Sequence, residues 1–447
     1  MAAARSRTPN EPLARLMAEA GVGNAQLARK VNAVGRELGV PLRYDKSSVS
    51  HWLAGSTPKP EARPAITEAL SRLLKRPVTS VELGWSAVAA EEPDDMVEGV
   101  IDLGRADMDP SRRSVLAGGL YSLALLVPDF NDLTGAPRQR TDAGRTLHIG
   151  ASDVETVRTM TDKIADILDT VGAGHARPMA AAFLVNTAGP YLRASGRERV
   201  QMDMRAAVAD LVYLTGWMAM YEEKQGLGQR YYLKALDLAG AAEDHVTYCR
   251  TLRGMSLQAS HLGHGKKALE LADAAAEAAP SAGPRLVAFL RGQQAASAAL
   301  TGDRHTALTR LRETETALAQ ADSRRDAVGG YDEAAFHFHV AGVRWHLGDQ
   351  EGSIRALRQS NRARSPQERQ GRLHCLGVIA ERQFRMRHVE ASCETWGAFL
   401  DEHMTISSAR GDEHLKTLLK AVPTYRGVRA VQELEERARH VATLKAA

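Results

Sequence analysis

The chain has little cysteine and few aromatic residues. Its 447 residues include only three cysteines, Cys249, Cys375 and Cys393, which lie far apart and form no Cys-x-x-Cys pair. This spacing argues against a structural zinc site and a disulfide framework, and it favours a reducing, cytoplasmic compartment. Aromatic residues make up 5% of the chain, which favours closely packed helices over aromatic-rich sheets. A chain of this length is expected to form two or more domains.

The sequence also lacks the short motifs that indicate an enzyme. It has no Gly-x-Ser-x-Gly nucleophile motif, no phosphate-binding P-loop, no dinucleotide-binding Gly-x-Gly-x-x-Gly after a strand and no conspicuous pair of carboxylates. His337 and His339 would point apart on a helix, and His261 and His264 have no cysteine or acidic companion at ligand spacing. We therefore expect neither catalysis nor a metal or other cofactor.

No apolar run follows the N-terminal arginines, so no signal peptide is expected. One internal segment, Ser-Arg-Arg-Ser-Val-Leu-Ala-Gly-Gly-Leu at 111–120, resembles a twin-arginine export signal, and its apolar stretch runs on to Val127. Pro128 and Asp129 end it before the roughly 20 residues that span a bilayer. We interpret it as a buried helix at the start of a second domain. The alternative is a start site closer to this segment and genuine export.

Charge is distributed unevenly along the chain. Residues 1–85 carry 13 Lys and Arg against 7 Asp and Glu, whereas residues 86–110 carry 8 acidic residues and only one cation, Arg105. A basic head followed by an acidic connector indicates a module that binds a polyanion and a tether that avoids it. A solvated basic face without a partner would give the same balance.

Apolar spacing predicts four helices in residues 1–85, of which the third is the most informative. It follows an N-cap at Asp45 or Ser47, and a Gly/Pro turn ends it. Val49 and Trp52 lie on one face, and small polar and basic residues lie on the other. This pattern is typical of the second helix of a helix-turn-helix, whose exposed first turn reaches base edges while its back packs on the domain.

The order Gln26-Leu27-Ala28, then Val49-Ser50-His51-Trp52-Leu53-Ala54-Gly55, then Pro58, resembles the Cro and phage-repressor family. Two features depart from it: the 22 residues between Leu27 and Val49 are about twice the usual spacing, and Leu53 replaces an acidic residue. The resemblance implies that Val49 and Trp52 are core and that Asn24 holds a phosphate. It also implies that five residues face the major groove: Lys46, Ser47, Ser48, Ser50 and His51. Arg43 and Lys59 are nearby cations suited to phosphates. The alternative is a capped helix start on a solvated surface.

Residues 86–145 are predicted to form an acidic linker and the buried connecting helix. Within them, one transient turn is expected over Val97–Leu103, and a loop is expected over Asn131–Thr146. Residues 146–447 are predicted to form a helical repeat domain. Ser152 is expected to cap its first long helix, whose partner is expected to run from Pro178 to Leu192.

From residue 200 the segments become helix pairs of repeat-like length. A glycine precedes the second helix of each of four pairs, at Gly228, Gly263, Gly302 and Gly348. Each of the last three has a small residue five positions later. This resembles tetratricopeptide repeats, in which the glycine allows a tight turn and the small residue lets two helices approach. A further pair is predicted over Arg372–His403 and a closing helix over Val428–Leu444. The predicted fold is all-α, with an N-terminal helix-turn-helix domain followed by a tetratricopeptide-like α-solenoid; a plain helical bundle is the alternative.

Solenoids of this kind expose a concave face that binds peptides or protein segments. Aromatic and basic residues of the first helices are the candidate effector-binding residues, with core packing as the alternative role for each. They are Tyr213, Trp217, Tyr221, Arg250, Arg253, Phe289, Arg291, His337 and Arg344.

The combined architecture, the Trp52–Pro58 motif and the Arg-Arg-x-x-Leu order at 112–116 resemble actinobacterial regulators of the NsdA type. The Rgg, PlcR and PrgX peptide-pheromone regulators are a more distant resemblance. The resemblance implies a cytoplasmic repressor of developmental or antibiotic-production genes. One short helix alone gives too little specificity, so we expect the protein to bind double-stranded DNA as a homodimer on paired half-sites. Its repeats would hold a peptide or protein effector, and no membrane partner is expected. The alternative is a repeat-based adaptor with little specific DNA binding.

Overall fold

The computed structural model describes residues 8–37, 42–74, 76, 78–85, 95–109, 121–122, 127–134, 147–279, 283–321, 331–425 and 427–446. Across these ranges the regular structure is helical, apart from one isolated bridge between His148 and Ser195. The all-α prediction is therefore confirmed at this level. No helix in the same ranges is both long enough and apolar enough to cross a membrane.

The described residues between 8 and 85 form a first helical cluster with its own hydrophobic core. Its helices are α1 Glu11–Glu19, α2 Asn24–Glu37, α3 Lys46–Leu53 and α4 Arg63–Leu74, with a short 3-10 turn at Pro60–Ala62. Val49 and Trp52 of α3 are buried in this core beside Leu27 and Ile66, as their spacing predicted. Trp85 closes the same core at the C-terminal end of the cluster.

The acidic connector contains a full helix where only a transient turn was predicted. Helix α5 runs over Met96–Met108, and the Asp95 side chain caps it. Its Val100 and Leu103 join the large core of the repeat section, because α5 packs against α8 and α11. The repeat section therefore draws on residues well before position 146. The twin-arginine-like segment at 111–120 lies outside the residues that the structure describes.

Two further boundaries differ from prediction. A short helix, α6 Phe130–Thr134, occupies part of the span expected to be a loop. Helix α7, Ala151–Val171, is capped at Gly150 and not at Ser152 as expected. The Gly150 backbone N–H donates to the Asp153 carboxylate at 2.8 Å. Its partner begins earlier than Pro178. That partner comprises α8 Ala173–Phe183, a π-helical turn Leu184–Ala188 and α9 Gly189–Arg193.

Five helical hairpins follow in sequence and pack side by side in a repeat-like arrangement. They are α10 Glu198–Tyr221 with α11 Gln225–Ala241, α12 His245–His261 with α13 Gly265–Glu277, α14 Pro284–Thr301 with α15 Arg304–Ala319, α16 Glu333–His346 with α17 Gln350–Ala363, and α18 Arg369–Arg385 with α19 Val389–His403. Helix α20 Ala409–Ala421, a 3-10 turn Val422–Tyr425 and α21 Arg429–Ala446 complete the chain. The last pair and the closing helix were both predicted.

The turn inside each hairpin has the same backbone geometry. One residue per turn has a left-handed conformation: Glu223 (φ 55°), Gly263 (φ 79°), Gly302 (φ 86°), Gly348 (φ 91°) and Arg387 (φ 63°). The following residue donates its N–H to the carbonyl five positions back, at 2.9 to 3.0 Å in all five turns. This bond satisfies an open carbonyl at the helix C-terminus and fixes the reversal of the chain.

A small buried residue lies five positions after each left-handed residue. Ala268, Ala307 and Ser353 occupy this position as predicted, and Ser392 occupies it in the fifth hairpin. The prediction placed Gly228 at the first turn, but in the structure it occupies this close-approach position in α11. A Cβ on Gly228 would lie 3.1 Å from the Gly216 carbonyl oxygen, so only the smallest residue lets α10 and α11 approach this closely.

The two ends of the repeat section meet. The Ser407 N–H donates to the Val171 carbonyl at 2.9 Å, and the Gly174 N–H donates to the Ser407 carbonyl at 3.2 Å. Helix α7 also packs against α18, and the Ala409 N–H bonds to the Glu222 carboxylate at 3.3 Å. The first helices of the hairpins consequently surround an inner face that is closed by α20.

Candidate functional site

Helix α3 is fixed on α2 by one asparagine. Asn32 of α2 donates its Nδ2 to the Tyr44 carbonyl at 2.7 Å, and its Oδ1 accepts the Tyr44 N–H at 2.8 Å. The Tyr44 ring meets Trp52 edge to face, with centroids 4.9 Å apart. These contacts set the orientation of α3 before any partner binds.

The first turn of α3 is a capping box. The Asp45 carboxylate accepts the Ser48 N–H at 2.9 Å and the Ser48 hydroxyl at 2.9 Å, and Ser47 Oγ lies 3.3 Å from its other oxygen. The bond from the Ser48 backbone is the main cause of the lowered pKa of Asp45. The Ser48 hydroxyl, predicted to face the major groove, is thus engaged in capping the helix.

The remaining predicted DNA contacts surround this turn. Six of them are exposed: Arg43, Lys46, Ser47, Ser50, His51 and Lys59. Asn24 lies at the start of α2 and donates Nδ2 to Ser50 Oγ at 2.9 Å, and the Ser50 hydroxyl donates to the Lys46 carbonyl at 3.0 Å. The structure therefore joins Asn24 and Ser50 in one polar network on the outer face of α3.

A second candidate site lies on the inner face of the repeat section. Tyr213, Trp217 and Tyr221 are four residues apart on α10, so their rings form a stripe with centroid separations of 6.3 and 5.4 Å. The Arg250 guanidinium lies over Tyr213 at 4.9 Å, and that of Arg253 lies 5.4 Å from Trp217. Phe289 of α14 faces Arg253 at 4.3 Å. Six of the nine predicted effector residues thus lie together.

The other three predicted effector residues lie elsewhere. Arg291 turns towards α15, where its Nε lies 3.2 Å from a Glu313 carboxylate oxygen. His337 and Arg344 line an open groove between α15, α16 and α17, with Leu308 among its walls.

Sequence reasoning did not find the residues that α18 and α20 add to the inner face. Arg410 of α20 lies 4.3 Å above the Tyr221 ring, and its Nη2 is 2.8 Å from His261 Nδ1. His374 Nδ1 lies 3.0 Å from His414 Nε2. Loss of hydration, and then the charge of Arg410, keep the pKa values of His261 and His374 well below 6.5.

Tyr121 connects the first helical cluster to the repeat section. Its ring stacks on His264 at a centroid distance of 5.7 Å, and its carbonyl accepts a bond from Arg72 of α4 at 3.4 Å. Gln229 of α11 brackets the next residue, Ser122, with bonds of 2.7 and 2.8 Å to its backbone. Tyr121 and Ser122 therefore bridge α4 and the repeat section through these contacts.

Residues 13–86 match a family model described as the SP15 N-terminal domain. The match spans the helices and core of the first helical cluster and ends before α5. Over this span the chain is similar to that domain, and the repeat section lies outside the match. No curated protein matches the chain.

Proposed function

We propose that the chain is a DNA-binding transcription regulator, a cytoplasmic repressor that acts as a homodimer. Helices α2 and α3 would form its helix-turn-helix, and α3 would enter the major groove. The observation that carries this proposal is the two-sided character of α3. Val49 and Trp52 anchor its back in the core, while Lys46, Ser47 and His51 are exposed on its front.

The polar residues of this front have separate roles. Arg43, Lys46 and Lys59 supply charge for phosphate contacts, which give affinity that falls as salt rises. Ser47 and His51 are exposed and would meet base edges, which give specificity. Ser48 and Asp45 hold the first turn of α3 in place, so we assign Ser48 a positioning role in place of a base contact.

One eight-residue helix reads too few bases for a specific site, and this supports a homodimer on two half-sites. The repeat section would act as a tetratricopeptide-like solenoid that carries dimer contacts and an effector site. An effector switches DNA binding only if it binds one arrangement of the dimer better than the other. The Tyr121 contact between α4 and the repeats offers a route for that coupling. The resemblance to NsdA-type regulators supports developmental or antibiotic-production genes as targets.

The test is genomic occupancy of the intact protein, compared with a Lys46→Ala/Ser47→Ala double variant. This pair leaves the Ser48–Asp45 cap intact. Lys420→Ala is the control, because it removes an exposed lysine from α20. We expect a small set of sharp sites that share an inverted repeat, lost in the double variant and retained in the control. Diffuse occupancy that the double variant leaves unchanged would contradict DNA reading by α3.

A repeat-based adaptor with little specific DNA binding is the second candidate. The Asp45 carboxylate favours it, since this anion lies at the helix N-terminus where a DNA reader meets phosphates. An adaptor would keep its protein partners in the Lys46→Ala/Ser47→Ala variant. Affinity purification of that variant alongside the wild type therefore separates the two functions.

A further inference from the structure

Arg253 is a buried cation with no anionic partner among the residues that the structure describes. Its side chain is 6% exposed, and its Nε and Nη1 have no hydrogen-bond acceptor within the described part of the chain. Its neighbour Arg250, one turn earlier on α12, bonds to the Asp210 carboxylate at 2.7 Å. Because a guanidinium does not lose its proton in proteins, the charge of Arg253 persists and its burial is unfavourable unless an anion binds it.

The surroundings of Arg253 compensate for only part of that charge. The rings of Phe289 and Trp217, at 4.3 and 5.4 Å, attract the cation through their faces but accept no strong hydrogen bond. The hydroxyl of Tyr232 is also buried without a partner in the described residues. Its ring lies beside the next residue of α12, since a Cβ on Gly254 would be 3.2 Å from Tyr232 Cζ. The Arg253 guanidinium and the Tyr232 hydroxyl therefore lie close together, and neither has a full set of acceptors within the described ranges.

A second guanidinium lies at the far end of the aromatic stripe. Arg410 is 7% exposed, and its Nη1 has no partner among the residues the structure describes. Its nearest carboxylate, on Glu223, is 3.8 Å away. Trp217 and Tyr221 lie between Arg253 and Arg410, so this inner face offers two cations separated by two adjacent aromatic rings.

We propose that this inner face binds a carboxylate that carries an apolar or aromatic group. Arg253 anchors the carboxylate through charge-assisted hydrogen bonds, and Trp217 and Tyr221 contact the apolar group. A free peptide C-terminus and a small organic acid share this chemistry. The inference rests on the proposed function only in assigning that ligand as the effector of the regulator.

The test is calorimetric titration of the full-length protein without DNA. Two acid–amide pairs serve as probes: 3-phenylpropionate with 3-phenylpropionamide, and N-acetyl-Ala-Ala-Phe with a free or an amidated C-terminus. We expect the acid of at least one pair to bind about tenfold or more tightly than its amide, because only the acid satisfies the buried guanidinium. The pair that shows the preference identifies the source of the carboxylate.

Variants assign the preference to Arg253. Arg253→Gln is expected to abolish it, and Arg253→Lys, which keeps the charge, is expected to retain it at lower affinity. Arg310→Gln is the matched control and should retain it, because Arg310 is paired with Glu313 on α15, outside the proposed site. Circular dichroism establishes whether each variant is folded. If Arg253→Gln does not fold, the acid affinity of the folded Arg253→Lys variant tests the assignment, since it should be lower than that of the wild type.

Two results would overturn the inference: equal or absent binding of acid and amide in both pairs, or an acid preference that survives in Arg253→Gln. The titration contains no DNA, and the genomic test uses variants of α3. Failure of either experiment therefore leaves the outcome of the other unaffected.

Discussion

Arg177 and Asp107 form an ion pair in the core between α8 and α5, and Tyr231 donates its hydroxyl to the second Asp107 oxygen at 3.2 Å. Both charged side chains are almost completely buried. We predict that Arg177→Met lowers the free energy of unfolding by about 3–5 kcal/mol, because it removes a buried cation that bonds directly to a buried carboxylate. Lys163→Met, which removes an exposed partner of Asp166, should change it by less than about 1 kcal/mol. Urea unfolding measures both, and equal effects would contradict the prediction.

Gly302 and Gly342 both have open space where a Cβ would be added, so they separate backbone strain from packing. Gly302 has a φ of 86°, and this left-handed conformation costs an L-residue about 1–2 kcal/mol. Gly342 lies inside α16, where alanine is favoured over glycine by about 1 kcal/mol. We predict that Gly302→Ala lowers the thermal unfolding midpoint and that Gly342→Ala raises it. Shifts of the same sign would argue against a strained turn at Gly302.

His339 makes stability depend on pH. It is buried with its Nδ1 2.7 Å from the Tyr331 hydroxyl, and desolvation, followed by the charge of Arg253, lowers its pKa to about 3. The unfolded chain binds a proton below about pH 6.5 that the folded chain does not bind, so the folded state loses stability as the pH falls below that value. We predict that His339→Gln reduces the slope of unfolding free energy against pH by about 1.4 kcal/mol per unit between about pH 6 and 4. An unchanged slope would contradict this, and His305→Gln, at an exposed position, is the control.

At the scale of elements, the orientation of α3 depends on the two bonds between Asn32 and the Tyr44 backbone. We predict that Asn32→Ala destabilises the first helical cluster by about 1–3 kcal/mol, because it leaves the Tyr44 N–H and carbonyl without that partner. Amide hydrogen exchange of residues 44–53 should become faster, and DNA affinity should fall although Asn32 lies behind the proposed interface. Gln26→Ala, at an exposed position on the same helix, should change neither. Unaltered exchange in Asn32→Ala would mean that core packing alone holds α3.

Helices and turns were predictable from sequence where the residues that specify them lie within a short segment. Gly263 and its small partner Ala268 lie five positions apart, so the spacing of one hairpin is visible in a short segment. Glu223 forms the equivalent left-handed turn of the first hairpin without a glycine, and for that reason Gly228 was placed there by mistake. Helix α5 was missed because its acidic surroundings suggested a linker, although Val100 and Leu103 carry the apolar spacing of a helix.

At the scale of the whole molecule, the candidate site was predictable only in part. Tyr213 and Trp217 are four residues apart, which predicts that they lie on the same face of a helix. Arg250 and Arg253 lie on the first helix of the next hairpin. Arg410 joins His261 across 149 residues of sequence, and this contact exists because the repeat section closes on itself. No local pattern encodes that closure, so the second cation of the inner face emerged only from the structure.

The closure itself is testable through Gly172, which has a φ of 97° and lies against Ser407 at the junction of the two ends. A Cβ at Gly172 would overlap the Ser407 carbonyl oxygen, which belongs to the backbone and cannot rotate away. Gly263 is a matched control, since its φ of 79° is also left-handed but a Cβ there meets open space.

We predict that Gly172→Ala increases the radius of gyration in small-angle X-ray scattering, whereas Gly263→Ala lowers stability by about 1–2 kcal/mol without changing the shape. Arg410 follows Ser407 closely in sequence and should move away from Tyr221 when the ends separate. The acid preference of the inner face should then weaken in Gly172→Ala and persist in Gly263→Ala. If both variants keep the compact shape and the preference, contacts other than the Ser407 junction hold the repeat section closed.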